Sequence, residues 1–167
     1  LLKTIKNNKF RSPIILIASK KILEKHIRYF KYKIKFKEID FKKNLNKINP
    51  DIINLINIEY NQNKIFENIS KKSNAYIKKS FDIALQILNK GITNKFINGP
   101  ISKKTFLNKK FYGITEYLAQ KTNSKNIAMI IYNKSLSVCP LTTHLPVKYI
   151  AKKITKSAII NKVYIIN

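Results

Sequence analysis

Only two arginines, Arg11 and Arg28, stand among 34 basic residues, and the chain carries a single cysteine and eight acids in 167 residues. One cysteine, Cys139, excludes an internal disulfide and fits a reducing compartment, so a cytoplasmic location is expected. No apolar run approaches the ~18–20 residues that cross a bilayer, because Lys or Asn interrupts every stretch. Leu1 to Arg11 also lack the positive-then-apolar layout of a signal peptide. There is no G-x-G-x-x-G, no P-loop and no G-x-S-x-G, and no cysteine pair to hold zinc. After Asp82 the only acid is Glu116, and the only other candidate metal ligands are Cys139 and His144. The second half therefore closes no three-ligand metal site by itself; partners for His144 would come from other sequence or another subunit.

What is abundant is lysine. The net charge is +26 with a hydrophobic fraction of 44%, the latter ordinary for a folded domain. A charge of this sign attracts nucleic acid, anionic lipid or phosphorylated substrates. The lysines, however, are spread singly and in pairs instead of forming one stripe, and arginine forks, which bind phosphate or guanine bidentately, are scarce. Lys, Asn and Ile dominate together and share AT-rich codons, so compositional drift is favoured over a nucleic-acid target. The first residue is Leu, which suggests a partial chain.

Hydrophobic periodicity predicts alternating strands and helices. Pro13 to Ala18 is a continuous apolar run rich in β-branched residues, the pattern of a strand buried on both faces, and Ser19 or a neighbour is placed to cap the helix carrying Ile22, Leu23, Ile27 and Phe30. His26, in that helix, reads as a flanking histidine. Tyr32, Ile34 and Phe36 alternate with lysines as a half-wet strand, Asp40 to Pro50 reads as loop, and Asp51 to Ile58 as another strand. A helix is expected over 73–90, with Ile77, Phe81, Ala84, Leu85 and Leu88 on its core face and Gly91 ending it. Downstream, short strands are expected over 95–98, 126–132 and 136–141, the last two joined by a turn at 133–135. Helices are expected over 101–108, 115–121 and 147–154. The fold class is α/β, a single partial unit over 1–167.

Ligands in α/β sheets bind beyond the carboxyl ends of strands. Two segments take that position in this reading: Asn98 to Lys103, where backbone N–H groups and the Lys103 ammonium could meet a phosphate, and Thr142 to Pro146, which puts His144 at a strand end.

These segments carry a resemblance. Phe96-Ile-Asn-Gly-Pro-Ile-Ser-Lys103 resembles the T-G-P-[IV]-x-K segment of the 4-hydroxythreonine-4-phosphate dehydrogenase (PdxA) family. Tyr112-Gly-Ile-Thr-Glu-Tyr-Leu-Ala119 is similar to its G-H-T-E-[FY]-[LF]-A motif, and Leu141-Thr-Thr-His-Leu-Pro146 to T-T-H-[LI]-P. Thirty positions separate Ile114 from His144, as in the family. Ser12 to Leu23 and Asn74 to Gly91 resemble upstream elements of the family more loosely.

The resemblance implies a layered sheet of the isocitrate/isopropylmalate dehydrogenase type, incomplete here, in a homodimer. It implies NAD-dependent oxidation of 4-phosphooxy-L-threonine in pyridoxal 5′-phosphate biosynthesis, assisted by a divalent metal (Zn, Mg or Co). By this carry-over His144 is a metal ligand, and Thr115, Ile114 and Lys103 are substrate-binding positions. No catalytic residue and no cofactor-binding residue is assigned. Ile114 departs from the pattern, because it stands where the family has a substrate-contacting histidine. The alternatives are an inactive or fragmentary relative and a basic nucleic-acid-binding protein.

Overall fold

The computed structural model describes residues 1–7, 10, 12–43, 45 and 48–167. It falls into two compact units, Leu1–Phe106 and Leu107–Asn167.

The first unit is built on a three-stranded parallel sheet: β1 (Ile14–Ala18), β2 (Phe36–Glu38) and β3 (Ile53–Asn57), in the order β1-β3-β2. Ile14 faces Ile53 in register and Phe36 faces the same residue from the other side. The middle strand is the driest, with Ile53, Leu55 and Ile56 almost wholly buried, which is why its apolar run shows no alternation. Its buried polar member, Asn54, is 1% exposed and survives there because it is bonded on every side. Its Nδ2 lies 3.1 Å from the Ile14 carbonyl, 2.8 Å from that of Asn49 and 3.2 Å from that of Ile52, and its Oδ1 accepts from the Asn49 N–H at 3.0 Å.

Helices α1 (Leu2–Asn7), α2 (Lys20–Tyr29) and α3 (Asn74–Asn89) complete the unit. One face of the sheet packs on α3 through Ile56, Ile58, Ile83 and Ile87 together with Leu45. The expected strand at the start, the α2 helix, the central strand and the long helix are all present. The α3 face is rotated from the expected one: Phe81 and Ala84 are buried as read, but Ile83 and Ile87 are buried in place of Leu85 and Leu88, which are only partly covered. Gly91 follows α3 at φ +69°, the left-handed conformation that glycine adopts without a Cβ penalty.

The strand expected over Tyr32–Phe36 begins only at Phe36. Tyr32 is taken up in ending α2: its N–H bonds to the Ile27 carbonyl at 3.0 Å and the Lys31 N–H to Arg28 at 3.1 Å, with Lys31 at φ +51°. This is a Schellman closure, and the Tyr32 N–H is committed to it and not to the sheet. Ser19 does occupy the N-cap of α2, but its side chain makes no cap bond. The Lys20 N–H is satisfied instead by Asn57 Oδ1 at 2.9 Å.

Residues 95–98 form no strand, and residues 101–108 yield only a π-helical turn, Lys103–Leu107. Phe96 and Phe106 dock on Phe81, edge-on and stacked, both at 5.7 Å; no strand pairs with 95–98 among the described residues.

The second unit holds α4 (Ile114–Lys121), α5 (Ile150–Lys153) and α6 (Lys156–Ile166), with a 3-10 turn at Val147–Tyr149. The expected helix over 147–154 is thus split into that turn and α5. The two expected strands over 126–132 and 136–141 reduce to one antiparallel bridge, Ile131 to Val138. The turn between them forms as read, with Asn133 Oδ1 accepting from the Ser135 N–H at 3.0 Å. A hairpin with no third strand is marginal, and Ile131, Tyr132 and Leu136 are exposed. The short α1 and the apolar α6 were not expected. No helix among the described residues is long and apolar enough to cross a membrane.

Candidate functional site

Neither candidate segment lies at the carboxyl end of a strand, because the strands expected before them are not formed. The carboxyl ends of β1 and β3 instead hold a closed polar network. The Ser19 N–H donates to the Tyr76 hydroxyl at 3.2 Å, Ser19 Oγ donates to the Tyr60 carbonyl at 3.0 Å, and the Tyr60 and Tyr76 rings stack at 4.9 Å. Burial pushes the Tyr76 phenol up from its ordinary value, an effect larger than the opposing bond from Ser19. These groups satisfy one another, so the network serves the fold.

Lys103 opens the π-helical turn of the first unit and is exposed, as a phosphate-facing ammonium must be. The other three sequence-derived positions lie in the second unit. Gly113 is the N-cap of α4, so Ile114, Thr115 and Glu116 are the first three residues of the helix. Thr115 is exposed and Ile114 half-buried.

His144 comes back to this same turn. Its Nε2 lies 3.4 Å from Glu116 Oε1, and its ring stacks on Tyr112 with centroids 4.9 Å apart and planes 13° apart. Its backbone sits at φ +57°, a left-handed conformation unusual for a residue with a Cβ. The other carboxylate oxygen, Glu116 Oε2, is buried with no hydrogen-bond partner among the described residues. A Cβ added to Gly113 would stand 3.0 Å from that oxygen, a tight approach that a small shift of the carboxylate relieves.

Tyr112 and Glu116 are neighbours of His144 to which sequence reasoning assigned no role. In the sequence Glu116 stands out as the one acid after Asp82 and as part of the Gly-Ile-Thr-Glu segment. The Gly113-x-x-Glu116 spacing, N-cap to third helical residue, is the signal that would have placed it on the helix's first turn.

An imidazole and a carboxylate are donors that a divalent cation accepts. A protein site ordinarily supplies three, and no group of three His, Cys, Asp or Glu is gathered among the described residues. The pair at His144 and Glu116 therefore does not complete a metal site among the described residues.

The model of the family described as "Pyridoxal phosphate biosynthetic protein PdxA" matches residues 9–167. The chain belongs to that family. A 4-hydroxythreonine-4-phosphate dehydrogenase of Sulfurihydrogenibium sp. (strain YO3AOP1) is 33% identical over 155 residues, covering 92% of this chain and 47% of that protein. One from Colwellia psychrerythraea is 24% identical over 158 residues, 93% of this chain and 48% of that protein. One from Neisseria meningitidis serogroup A is 34% identical over 90 residues, 51% of this chain and 27% of that protein. The chain spans about half the length of the first two of these relatives. Membership of the PdxA family and the α/β character with a small parallel sheet both agree with the sequence reading.

Proposed function

We propose that this chain is the central part of an NAD-dependent 4-hydroxythreonine-4-phosphate dehydrogenase, acting on 4-phosphooxy-L-threonine in vitamin B6 biosynthesis within a homodimer. Its sheet would be part of the layered isocitrate/isopropylmalate dehydrogenase-like arrangement. The observation that carries the reading is the family match over residues 9–167, joined to the return of His144 onto the helix turn that bears Thr115. A divalent ion, when bound, would polarise the substrate hydroxyl and the developing carbonyl.

This chain's own residues have narrower tasks. His144 offers an exposed imidazole as one ligand of an ion whose other ligands lie outside these residues. Thr115, exposed at the second position of α4, offers a hydroxyl that both donates and accepts to substrate oxygens. Lys103 offers charge to the substrate phosphate. Ile114 gives an apolar wall where a hydrogen-bond donor is expected, an observation that favours a second reading, in which the protein is an inactive relative or one with altered substrate contacts. A basic nucleic-acid-binding role rests on the net charge of +26 alone.

The test is NAD reduction by the isolated 167-residue chain with 4-phosphooxy-L-threonine and Zn, Mg or Co. No turnover is expected, because one imidazole and one carboxylate do not make a metal site. Robust turnover that disappears in His144→Ala would contradict the claim that the site is partial.

A further inference from the structure

Leu16 and Ala18 of β1 line an apolar groove with Leu23, His26 and Phe30 of α2 and its end, while Ile15 and Ile17 pack toward α3. β1 and β3 are thus neighbouring parallel strands whose following helices lie on opposite faces of the sheet. Open α/β sheets bind ligands beyond the carboxyl ends of such a strand pair. A cleft of about 140 Å³ opens here between α2 and the segment after β3, with Lys21, Glu24, Lys25 and Arg28 on one wall and Asn61 and Gln62 on the other.

Lys21, Lys25 and Arg28 stand at i, i+4 and i+7, one stripe of α2. Such a stripe is ordinarily a solvated helix face, but here a second wall is drawn over it. Lys25 Nζ donates to the Gln62 carbonyl and Lys21 Nζ to Asn61 Oδ1 at 3.4 Å. Phe66 clasps the same segment to α2, edge-on to His26 at 5.6 Å and to Tyr29 at 5.9 Å. Both acceptors are neutral, so they hold the ammonium groups without cancelling their charge. Glu24 is the one carboxylate in the lining, and Glu59 approaches Lys21 only at 4.0 Å with both side chains exposed. Three cations less one carboxylate leave the walls at +2. The exposed Arg28 guanidinium has no hydrogen bond or ion pair among the described residues, so its five N–H donors are open to a ligand.

We propose that this cleft binds one terminal phosphoryl group, that of a phosphate monoester or of inorganic phosphate. Arg28 makes the bidentate contact, Lys21 and Lys25 supply charge, and the Asn61 amide N–H donates from the opposite wall, its oxygen being taken by Lys21. Size and charge choose this ligand. The cleft is well below the roughly 300–1,000 Å³ that encloses a whole small molecule, so it takes a single anionic group. A net charge of +2 matches a terminal phosphate, which carries about −2 near neutral pH, better than the single charge of a diester. The chain otherwise uses lysine, with two arginines among 34 basic residues, and one of the two stands where a guanidinium fork grips phosphate as an ammonium cannot. The site is independent of the proposed function, since neither Lys103 nor Thr115 lines it.

Two arginines give the chain two side-chain Nε–H signals in a proton–nitrogen correlation spectrum, so Arg28 is read directly and Arg11 is its control. Glycerol phosphate and inorganic phosphate are titrated into the labelled 167-residue chain at about pH 7, with ionic strength held constant by sodium chloride. The expected result is a saturable shift of the Arg28 signal and of the Gln62 backbone amide, with Arg11 unmoved. Arg28→Lys keeps the charge and loses the fork, and should weaken binding, followed at Gln62, by about 10-fold. Asn61→Asp keeps an acceptor for Lys21 while removing one unit of positive charge, and should weaken it by a similar factor. An Arg28 signal that responds only to ionic strength, or an affinity unchanged in both variants, would overturn the proposal. So would a dimethyl phosphate or single-stranded oligonucleotide probe that binds the cleft as tightly as the monoester, because that would assign the stripe to diester backbone. Absence of dehydrogenase activity would bear only on the proposed function, since the titration needs neither its substrate nor a metal.

Discussion

Replacing Asn54 in the middle of the central strand separates two views of what that residue contributes. If its value is mere filling of space in a dry strand, leucine should serve as well or better, since burying a leucine side chain is worth about 1.5–3 kcal/mol. If its value lies in its hydrogen bonds, leucine should fail. Asn54 has two N–H donors shared among the carbonyls of Ile14, Asn49 and Ile52, and one acceptor engaged by the Asn49 N–H. That amounts to three bonds at about 1 kcal/mol each, with a further penalty for any carbonyl or N–H left dry. Asn49 is exposed and regains water, which limits the penalty. Asn54→Ala is therefore expected to cost about 2–4 kcal/mol, a large share of the 5–15 kcal/mol typical of a folded domain. Asn54→Leu should recover less than half of that. Equilibrium urea unfolding followed by far-ultraviolet circular dichroism measures both. A leucine variant as stable as wild type would refute the hydrogen-bond account of this strand.

Two further predictions concern the first unit. Tyr76→Phe removes the acceptor for the Ser19 N–H, a residue 1% exposed, and should cost about 1–2 kcal/mol in the same urea assay. Because burial raises the Tyr76 phenol above its ordinary value, the neutral form is the one the fold favours. Its contribution is full below about pH 10 and is lost as pH rises through the raised value. Wild type should accordingly lose stability above that pH more steeply than Tyr76→Phe, and parallel curves would contradict this. Lys31, left-handed at φ +51° in the closure of α2, should be improved by glycine: Lys31→Gly is expected to gain about 1 kcal/mol, measured as a rise in thermal midpoint. A fall would show that the Lys31 side chain matters more than its backbone.

Local pattern made the early elements legible. The unbroken apolar run at Ile14–Ala18, rich in isoleucine, and the apolar stripe before Gly91 each force one structure. Where tertiary context decides, the pattern misled. Tyr32 alternates with lysines as a strand would, yet its N–H is committed to Ile27. The apolar runs around Ile131 and Val138 have strand propensity, but with no third strand pairing with them among the described residues they keep one bridge. The apolar residues of α6, among them Ile159, Val163 and Tyr164, lie exposed, so that helix has no buried face for periodicity to find. Among the candidate residues, His144, Ile114 and Thr115 of the second unit and Lys103 of the first were each readable as motif positions. The closeness of His144 to Glu116 and Tyr112 was not, because it depends on how a distant loop folds back onto α4.

The central claim is that these residues are one part of a dehydrogenase site in which His144 is indispensable. It is tested most directly by NAD reduction with 4-phosphooxy-L-threonine, comparing the product of the whole reading frame that contains this sequence with its His144→Ala form. The account predicts measurable turnover in the former and a loss of at least about 100-fold in the latter, beyond the 10–100-fold that mutating a group supporting a metal ligand typically costs. Turnover unchanged by His144→Ala, or none from the whole product, would contradict it.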